Sequence, residues 1–241
     1  MSKSEPSALR RYGLIGLAFI HLAASRGIRG TFGVFYVALL EAFGWSRGAT
    51  AGALSLSIII EGLSLPFVGS LTDRLGGRRT LILGGIVLVL GLGLSATISS
   101  LWELYLWVGI VTALGLGLIG MVPHVAIIVR EFSVHRGKAL GLAYAGGGVG
   151  ILFLVPLSAI MIGTWGWSMA YVGLAGLMAL LVIPPVQFFT PASSPPVAPV
   201  ERTEKGTDWT VGRALRSSAF WFLFGSRVLA STGNQIVVTH Q

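Results

Sequence analysis

The chain has 241 residues, of which 54% are hydrophobic and only 11% are charged, whereas ordinary soluble domains have roughly 45–50% and about 25%. This composition excludes a water-soluble globule, and the 34 glycines are typical of helices that pack closely within lipid. The absence of cysteine excludes thiolate zinc sites, iron–sulfur clusters and cysteine nucleophiles. The formal charge of +8 could indicate nucleic-acid binding, so the positions of the charges decide its meaning.

Long runs with few or no charges predict membrane-spanning helices, because about 20 apolar residues suffice to cross the hydrocarbon of a bilayer. The first run contains two arginines, the second contains one glutamate, and the last three contain no Asp, Glu, Lys or Arg. The third run is the shortest. In chain order the predicted spans are 12–40, 49–68, 81–98, 104–129, 139–164 and 165–189.

These spans predict an all-α membrane protein with a six-helix bundle over residues 1–189. Residues 190–218 are rich in Pro and Ser, which oppose a continuous helix, so we expect a cytoplasmic linker there. A seventh span begins at residue 219 and continues to residue 241, which predicts an incomplete seventh transmembrane helix. We therefore expect a truncated reading of a longer gene; a fragment that survives by association is the alternative.

The positive charges predict the orientation of the helices, because Lys and Arg concentrate in cytoplasmic loops. The N-terminal tail and the second, fourth and sixth segments between spans hold thirteen Lys and Arg, whereas the opposite loops hold only Arg47. We therefore expect a multi-pass protein of the inner membrane with a cytoplasmic N-terminus. This distribution also accounts for the net charge and argues against a nucleic-acid partner.

Two Gly-Trp-Ser sequences, at 44–46 and 166–168, fall at the predicted outer ends of spans. Tryptophan favours the membrane interface, and serine commonly caps the helix that follows it. We expect both sequences to be turns that anchor the helices, with Ser46 and Ser168 as caps.

Charged residues inside the spans are the strongest candidates for function, because an Arg at the bilayer centre costs roughly 2.5–3.5 kcal/mol. Arg26 and Arg29 share one face of the first predicted helix, and Glu61 lies near the middle of the second. Depth along the spans predicts an Arg26–Glu61 pair, leaving Arg29 as a spare cation that could bind an anionic substrate. In the alternative, both arginines are structural and pair only with Glu61 and backbone carbonyls.

His124 follows Pro123 in the fourth span, where proline frees a carbonyl and favours a bend. The histidine could relay protons, or it could be a packing residue whose hydrogen bonds are satisfied; His21 has the same two interpretations. The glycines at 141–150 predict close helix packing first and room for a substrate second. The sequence has no H-E-x-x-H, Walker or G-x-S-x-G motif, so we predict no enzyme, no cofactor and no metal site.

The second loop carries the most specific pattern in the chain. Residues 69–79 read GSLTDRLGGRR, which resembles the loop signature G-x-L-x-D-R-x-G-R-[KR]-[RK] of the major facilitator superfamily. Small residues allow a tight turn there, and the charges can make and break contacts during a conformational cycle. An ordinary positive-inside loop is the alternative. The predicted gating residues are Gly69, Asp73, Arg74, Gly76, Arg78 and Arg79.

Weaker similarities extend over most of the chain, at 30–35, 43–47, 136–141, 146–156 and 219–221. Together they resemble bacterial members related to monocarboxylate porters. The resemblance implies a twelve-helix transporter made of two six-helix bundles, which alternates access to a central site. In that family the charged loop latches against helix 11, so the resemblance also implies a partner, either the missing C-terminal half or a second copy.

We therefore expect a segment of a secondary transporter for a small organic anion such as a monocarboxylate, working with proton coupling or by exchange. Arg26 and Arg29 are the predicted substrate contacts, and Glu61 and His124 are the predicted ion-pair or proton-coupling residues. The alternatives are an efflux transporter for unrelated amphipathic compounds and a membrane fragment that transports nothing. The expected partners are an anionic small molecule and the lipid bilayer.

Overall fold

The computed structural model of the chain describes residues 8–132, 135–190 and 216–239. These residues form helices and short turns and include no strand, which confirms the predicted all-α class. Most of the predicted linker, including Arg202, Lys205 and Arg213, lies outside the described residues. The helices are α1 (Ala8–Phe43), α2 (Arg47–Leu75), α3 (Gly77–Ser95), α4 (Leu101–Glu131), α5 (Arg136–Phe189) and α6 (Ser218–Thr239).

Four of the described helices, α2 to α5, are long and apolar enough to cross a membrane. Helix α5 has 54 residues and is interrupted at Gly166, where φ is 80°, so it provides two crossing segments, 136–165 and 167–189. Helix α1 has 36 residues, and the two arginines at its centre make it less apolar. The first 190 residues thus contain six segments long enough to cross a bilayer.

The described residues separate into two compact units. The first unit contains α1 to α5. The second contains α6, a 22-residue helix whose exposed side chains include Trp221, Phe222 and Phe224.

The two Gly-Trp-Ser turns differ in what their serines do. The Ser46 side chain accepts a hydrogen bond from the Ala49 N–H at 3.3 Å and caps α2, as predicted. The Ser168 hydroxyl instead donates to the carbonyl of Ala96 at 2.7 Å, so the predicted cap is wrong there. Ala96 follows the last turn of α3, where carbonyls lack helical donors and can accept a neighbouring hydroxyl.

Helix α1 packs against α5 more extensively than any other two helices pack in the described residues. A Cβ atom on Gly146 or Gly150 would overlap the backbone carbonyl of Phe19 or Ala23, respectively, so glycine is required for this approach. Further along the same two helices, Phe35 stacks on Tyr171 with ring centroids 3.8 Å apart. The predicted close packing by glycine is therefore confirmed at this interface.

Helix α4 departs twice from regular α-helical geometry. Tyr105–Thr112 form a π-helical segment, which the sequence did not predict. A break then follows at Ile119 and Gly120, before the helix resumes at Met121. Pro123 explains this break, because it has no N–H to donate to the carbonyl four residues earlier, that of Ile119.

Candidate functional site

A cavity of about 430 Å³ lies between α1, α2, α4 and the first half of α5. Its wall is mainly apolar and glycine-rich, with a few polar groups directed into it. The break in α4 contributes Gly120 and Met121, so this irregular backbone forms part of the cavity wall. The polar lining residues are Ser25, Arg26, Glu61 and Tyr144.

The ion pair in this region joins Arg29, not Arg26, to Glu61. The guanidinium of Arg29 contacts the Glu61 carboxylate through Nη2 and Oε2, and both side chains are about three-quarters buried. The predicted Arg26–Glu61 pair is therefore wrong. Both partners lie fourteen residues from the turn that joins their helices, α1 ending at Phe43 and α2 beginning at Arg47. Each of the two residues therefore lies about 21 Å from this turn along its own helix axis. Counting from the turn places Arg29 beside Glu61, whereas counting from the midpoints of the predicted spans gave the wrong arginine.

Arg26 lies one turn from Arg29 and lines the cavity as an exposed side chain. It forms no salt bridge with a carboxylate among the described residues. Its stem passes over Gly147 of α5, where an added Cβ would come within 2.9 Å of Arg26 Cγ. The structure therefore exchanges the predicted roles: Arg29 is the paired arginine and Arg26 is the cation open to the cavity.

The signature residues 69–79 form the end of α2, a turn of one residue, and the start of α3. Helix α2 ends at Leu75, Gly76 has φ 82°, and α3 begins at Gly77. A φ in this range strains any residue with a Cβ, so Gly76 is required by the turn itself. Gly77 packs against Ile127 of α4, and a Cβ there would approach the Ile127 side chain to 2.7 Å.

The charged side chains of this loop mostly face outward. Asp73, Arg74 and Arg79 are exposed. Asp73 forms no salt bridge with a described residue, so it is available to another element. Arg78 is partly buried and donates from Nη1 to the carbonyl of Thr190 at 3.4 Å, which ties the loop to the end of α5.

His124 is buried and hydrogen-bonded, but its partner is the other histidine within the spans. Its Nε2 lies 3.1 Å from Nδ1 of His21, and the two rings meet edge to face with centroids 5.0 Å apart. Nε2 of His21 lies 3.0 Å from the carbonyl of Val182. The pair thus joins α1, α4 and the second half of α5. The sequence offered no signal for it, because the two histidines are 103 residues apart.

Taken together, these features form a partly open, largely apolar space with one exposed cation beside a neutralised arginine–carboxylate pair. Such a site can attract a small anion, since the cation supplies charge-assisted hydrogen bonds while the apolar wall holds the rest of the molecule. Sequence reasoning missed Tyr144 and Ser25 as lining residues, because neither carries a charge that makes it unusual within a span.

A bundle of long apolar helices around a cavity with charged lining residues is typical of a multi-pass membrane protein. The chain belongs to the Major Facilitator Superfamily, whose sequence profile matches residues 17–240. This match and the apolar helices make it an integral membrane protein.

The chain is also similar to several curated mammalian proteins. It is 31% identical over 165 residues to monocarboxylate transporter 13 of Rattus norvegicus, covering 68% of this chain and 38% of that protein. It is 35% identical over 152 residues to monocarboxylate transporter 14 of Homo sapiens, covering 63% and 29%. For monocarboxylate transporter 11 of Homo sapiens the identity is 32% over 167 residues, covering 69% and 35%. The chain thus spans about a third of the length of these relatives.

Proposed function

We propose that this chain is the N-terminal part of a secondary transporter for a small organic anion, and that the anion is a monocarboxylate. The observation that carries the proposal is Arg26, an exposed guanidinium in the cavity with no carboxylate partner among the described residues. Arg29 is already neutralised by Glu61. A single open cation in a mostly apolar site favours a ligand with one negative charge and a small apolar body.

Two further observations support this substrate class. The cavity volume of about 430 Å³ suits a small molecule. The relatives described above are named monocarboxylate transporters.

Alternating access in this proposal uses the loop at 69–79 as a cytoplasmic latch. Its exposed Asp73 contacts a second six-helix bundle, either the C-terminal half of a longer chain or a second copy. The cycle is driven by proton coupling or by anion exchange. Replacing Asp73 by Asn is therefore expected to lower transport while leaving the amount of protein in the membrane unchanged; loss of the protein itself would indicate a structural role.

The proposed orientation follows from the distribution of Lys and Arg, which places the N-terminus in the cytoplasm. The proposed location is the inner membrane of the cell. In this arrangement residues 1–189 form one bundle, 190–218 a cytoplasmic linker and 219–241 the start of a seventh span. Reporter enzymes fused after Arg79 and Lys138 should report the cytoplasm, and a fusion after Glu103 the outside. Agreement between the Arg79 and Glu103 fusions would contradict the orientation.

Uptake into membrane vesicles that contain the full-length gene product tests the substrate class. Radiolabelled short-chain monocarboxylates are compared with the corresponding uncharged amides, which match them in size. We expect uptake of the acid anions only. Arg26→Gln should lower this uptake at least tenfold, Arg26→Lys should retain part of it, and Arg47→Gln, an exposed arginine at the α1–α2 turn, should leave it unchanged.

Equal transport of acids and amides would contradict the proposal and favour the transport of amphipathic compounds. If the Arg26→Gln variant transported the anion at the wild-type rate, Arg26 would not be part of the binding site.

A further inference from the structure

We propose that Gly148 limits the size of the anion that the cavity accepts. Gly148 lines the cavity from α5, and the space over it, here called the notch, lies between the side chains of Tyr144 and Ile151. The carboxylate of the bound anion contacts Arg26 while its apolar body lies in the notch. This role rests on the proposed transport function and adds the residue that sets its selectivity.

The cavity face of α5 carries two large side chains with a gap between them. Tyr144 and Ile151 line the cavity and are 51% and 47% exposed. They are seven residues apart, about 10 Å along the helix axis, and therefore lie on the same face. The cavity-lining residues between them are Gly147 and Gly148, which have no side chains. This face of the helix is therefore recessed between two bulky neighbours.

The two glycines in this gap differ in what lies over them. An added Cβ on Gly147 would come within 2.9 Å of Arg26 Cγ, so the stem of Arg26 already covers Gly147. At Gly148 no described atom lies within 4 Å of an added Cβ, and the residue is exposed. The open part of the gap therefore lies directly beside the arginine that is proposed to bind the anion.

Packing explains the other glycines that line the cavity in the described residues. A Cβ on Gly117 would approach Ser64 Oγ to 2.9 Å, and one on Gly120 would approach the carbonyl oxygens of Gly117 and Leu116 to 3.1 Å. Gly148 has no such neighbour, and its φ is not positive. A larger residue would therefore fit the backbone at this position, but it would fill part of the cavity.

The surroundings of the notch suit an apolar group. Helices α2 and α4 contribute Leu65 and Val122 to the cavity wall, so a group in the cavity leaves water for a largely hydrocarbon surface. The guanidinium of Arg26 holds the carboxylate by charge-assisted hydrogen bonds. Because that end is fixed beside Gly147, the length and branching of the rest of the acid decide whether it fits over Gly148.

A size series at position 148 tests this role by uptake into vesicles that contain the full-length gene product. Acetate and the larger, branched isovalerate are the two probes, and we expect the wild type to take up both. Gly148→Leu should lower the uptake of isovalerate relative to acetate by at least about tenfold, since loss of room for methyl groups in a pocket has effects of this order. Gly148→Ala should give an intermediate ratio. This ratio does not depend on how much protein reaches the membrane.

Gly163→Leu is the matched control for the size series. Gly163 belongs to the same segment of α5 and is exposed, and no described atom lies within 4 Å of its added Cβ. It does not line the cavity, so the ratio of isovalerate to acetate uptake should equal that of the wild type. An equal loss of both acids in Gly148→Leu would overturn the proposal, because the position would then affect transport without regard to size. An unchanged ratio in Gly148→Leu would overturn it as well.

Chemical labelling tests the same position without transport. The 241 residues contain no cysteine, so Gly148→Cys introduces a single thiol into them. A water-soluble thiol reagent should modify this thiol, and mass spectrometry of the peptide that contains residue 148 measures the modification. Isovalerate should slow the reaction, whereas Arg47→Cys, at the exposed α1–α2 turn, should react equally fast with and without the acid. Absence of labelling at residue 148, or labelling that isovalerate does not slow, would contradict the notch.

Failure of this role and failure of the transport proposal give different results. If the wild type takes up neither acid and neither acid protects residue 148, the transport proposal falls and the role of Gly148 falls with it. If the wild type takes up both acids and the Gly148 variants keep the wild-type ratio, only the role of Gly148 falls.

Discussion

The two faces of α1 are built in opposite ways. Toward α5 the helix meets glycines so closely that Gly146 and Gly150 lie against backbone carbonyls. Toward α2 and α4 the same helix presents Arg26 and Arg29 to a cavity and to a carboxylate. The first face is held by close backbone packing. The second is held by an ion pair and carries a charged side chain that lines the cavity.

This difference indicates which contacts can change during a functional cycle. Backbone-to-backbone packing tolerates almost no displacement, because moving the helices closer causes a steric clash and moving them apart loses van der Waals contact. Long charged side chains can follow a moving partner while keeping their interaction. We therefore expect α1 and α5 to move as one body, and changes in the cavity to occur at α2 and α4.

The largest effect on stability is expected from breaking the charge pair on the open face. Arg29→Gln leaves the Glu61 carboxylate without its partner, which should lower the free energy of unfolding by about 3 kcal/mol, the lower end for buried pairs. The double variant Arg29→Gln/Glu61→Gln should recover most of this loss. Thermal unfolding of both, with Arg47→Gln as a control, provides the measurement. No recovery in the double variant would mean that the pair is not coupled.

The closed face should respond strongly to a single methyl group. Gly150→Ala places a Cβ against the Ala23 carbonyl, and we expect a loss of about 1–3 kcal/mol because the backbone cannot move aside. Gly148→Ala is the matched control in the same helix, since nothing lies within 4 Å of its added Cβ. It should leave stability unchanged or raise it by up to about 1 kcal/mol. Equal effects at both positions would contradict the tight interface.

Gly147 lies where the two faces meet, and its substitution distinguishes packing from function. An added Cβ would press on Arg26 Cγ, a flexible atom that can move, so Gly147→Ala should change stability by less than about 1 kcal/mol. Displacing Arg26 should nevertheless lower anion uptake. Unfolding and uptake measured on one preparation separate the two effects. Normal uptake would indicate that the position of Arg26 is not critical.

The smallest effect on stability is expected for Arg26→Gln, because this side chain is exposed and has no carboxylate partner among the described residues. The free energy of unfolding should change by no more than about 0.5 kcal/mol. A loss as large as that of Arg29→Gln, in the same unfolding assay, would show that Arg26 also supports the fold.

Much of the fold was predictable, because composition and charge act on whole helices. Runs of uncharged residues located the spans, and the glycines at 146 and 150 indicated close packing, since only a small residue permits such an approach. The π-helical segment Tyr105–Thr112 was not predictable, because its residues are compatible with an ordinary α-helix. Its geometry depends on the packing around it.

The charged residues of the candidate site were predictable from the sequence, but their pairing was not. Arg26, Arg29 and Glu61 stand out because charges are rare within spans. Which arginine meets Glu61 depends on a shift of one helical turn, and only the position of the α1–α2 turn fixes that register. The His21–His124 pair depends on the assembly of helices distant in sequence, which no local pattern encodes.

The π-helical segment of α4 has a consequence for the tolerance of this helix to insertions and deletions. Each residue of an α-helix turns the chain by about 100°, so one residue more or less rotates everything that follows. Gly115, beyond the π segment, lies directly against the backbone of Leu88 in α3. Deleting one residue within 105–112, so that a regular α-helix replaces the wide turn, keeps Gly115 close to its original direction, because the wide turn holds about one residue more than an α-helical turn. The wide turn therefore accommodates one extra residue without changing the angular phase between the two ends of α4.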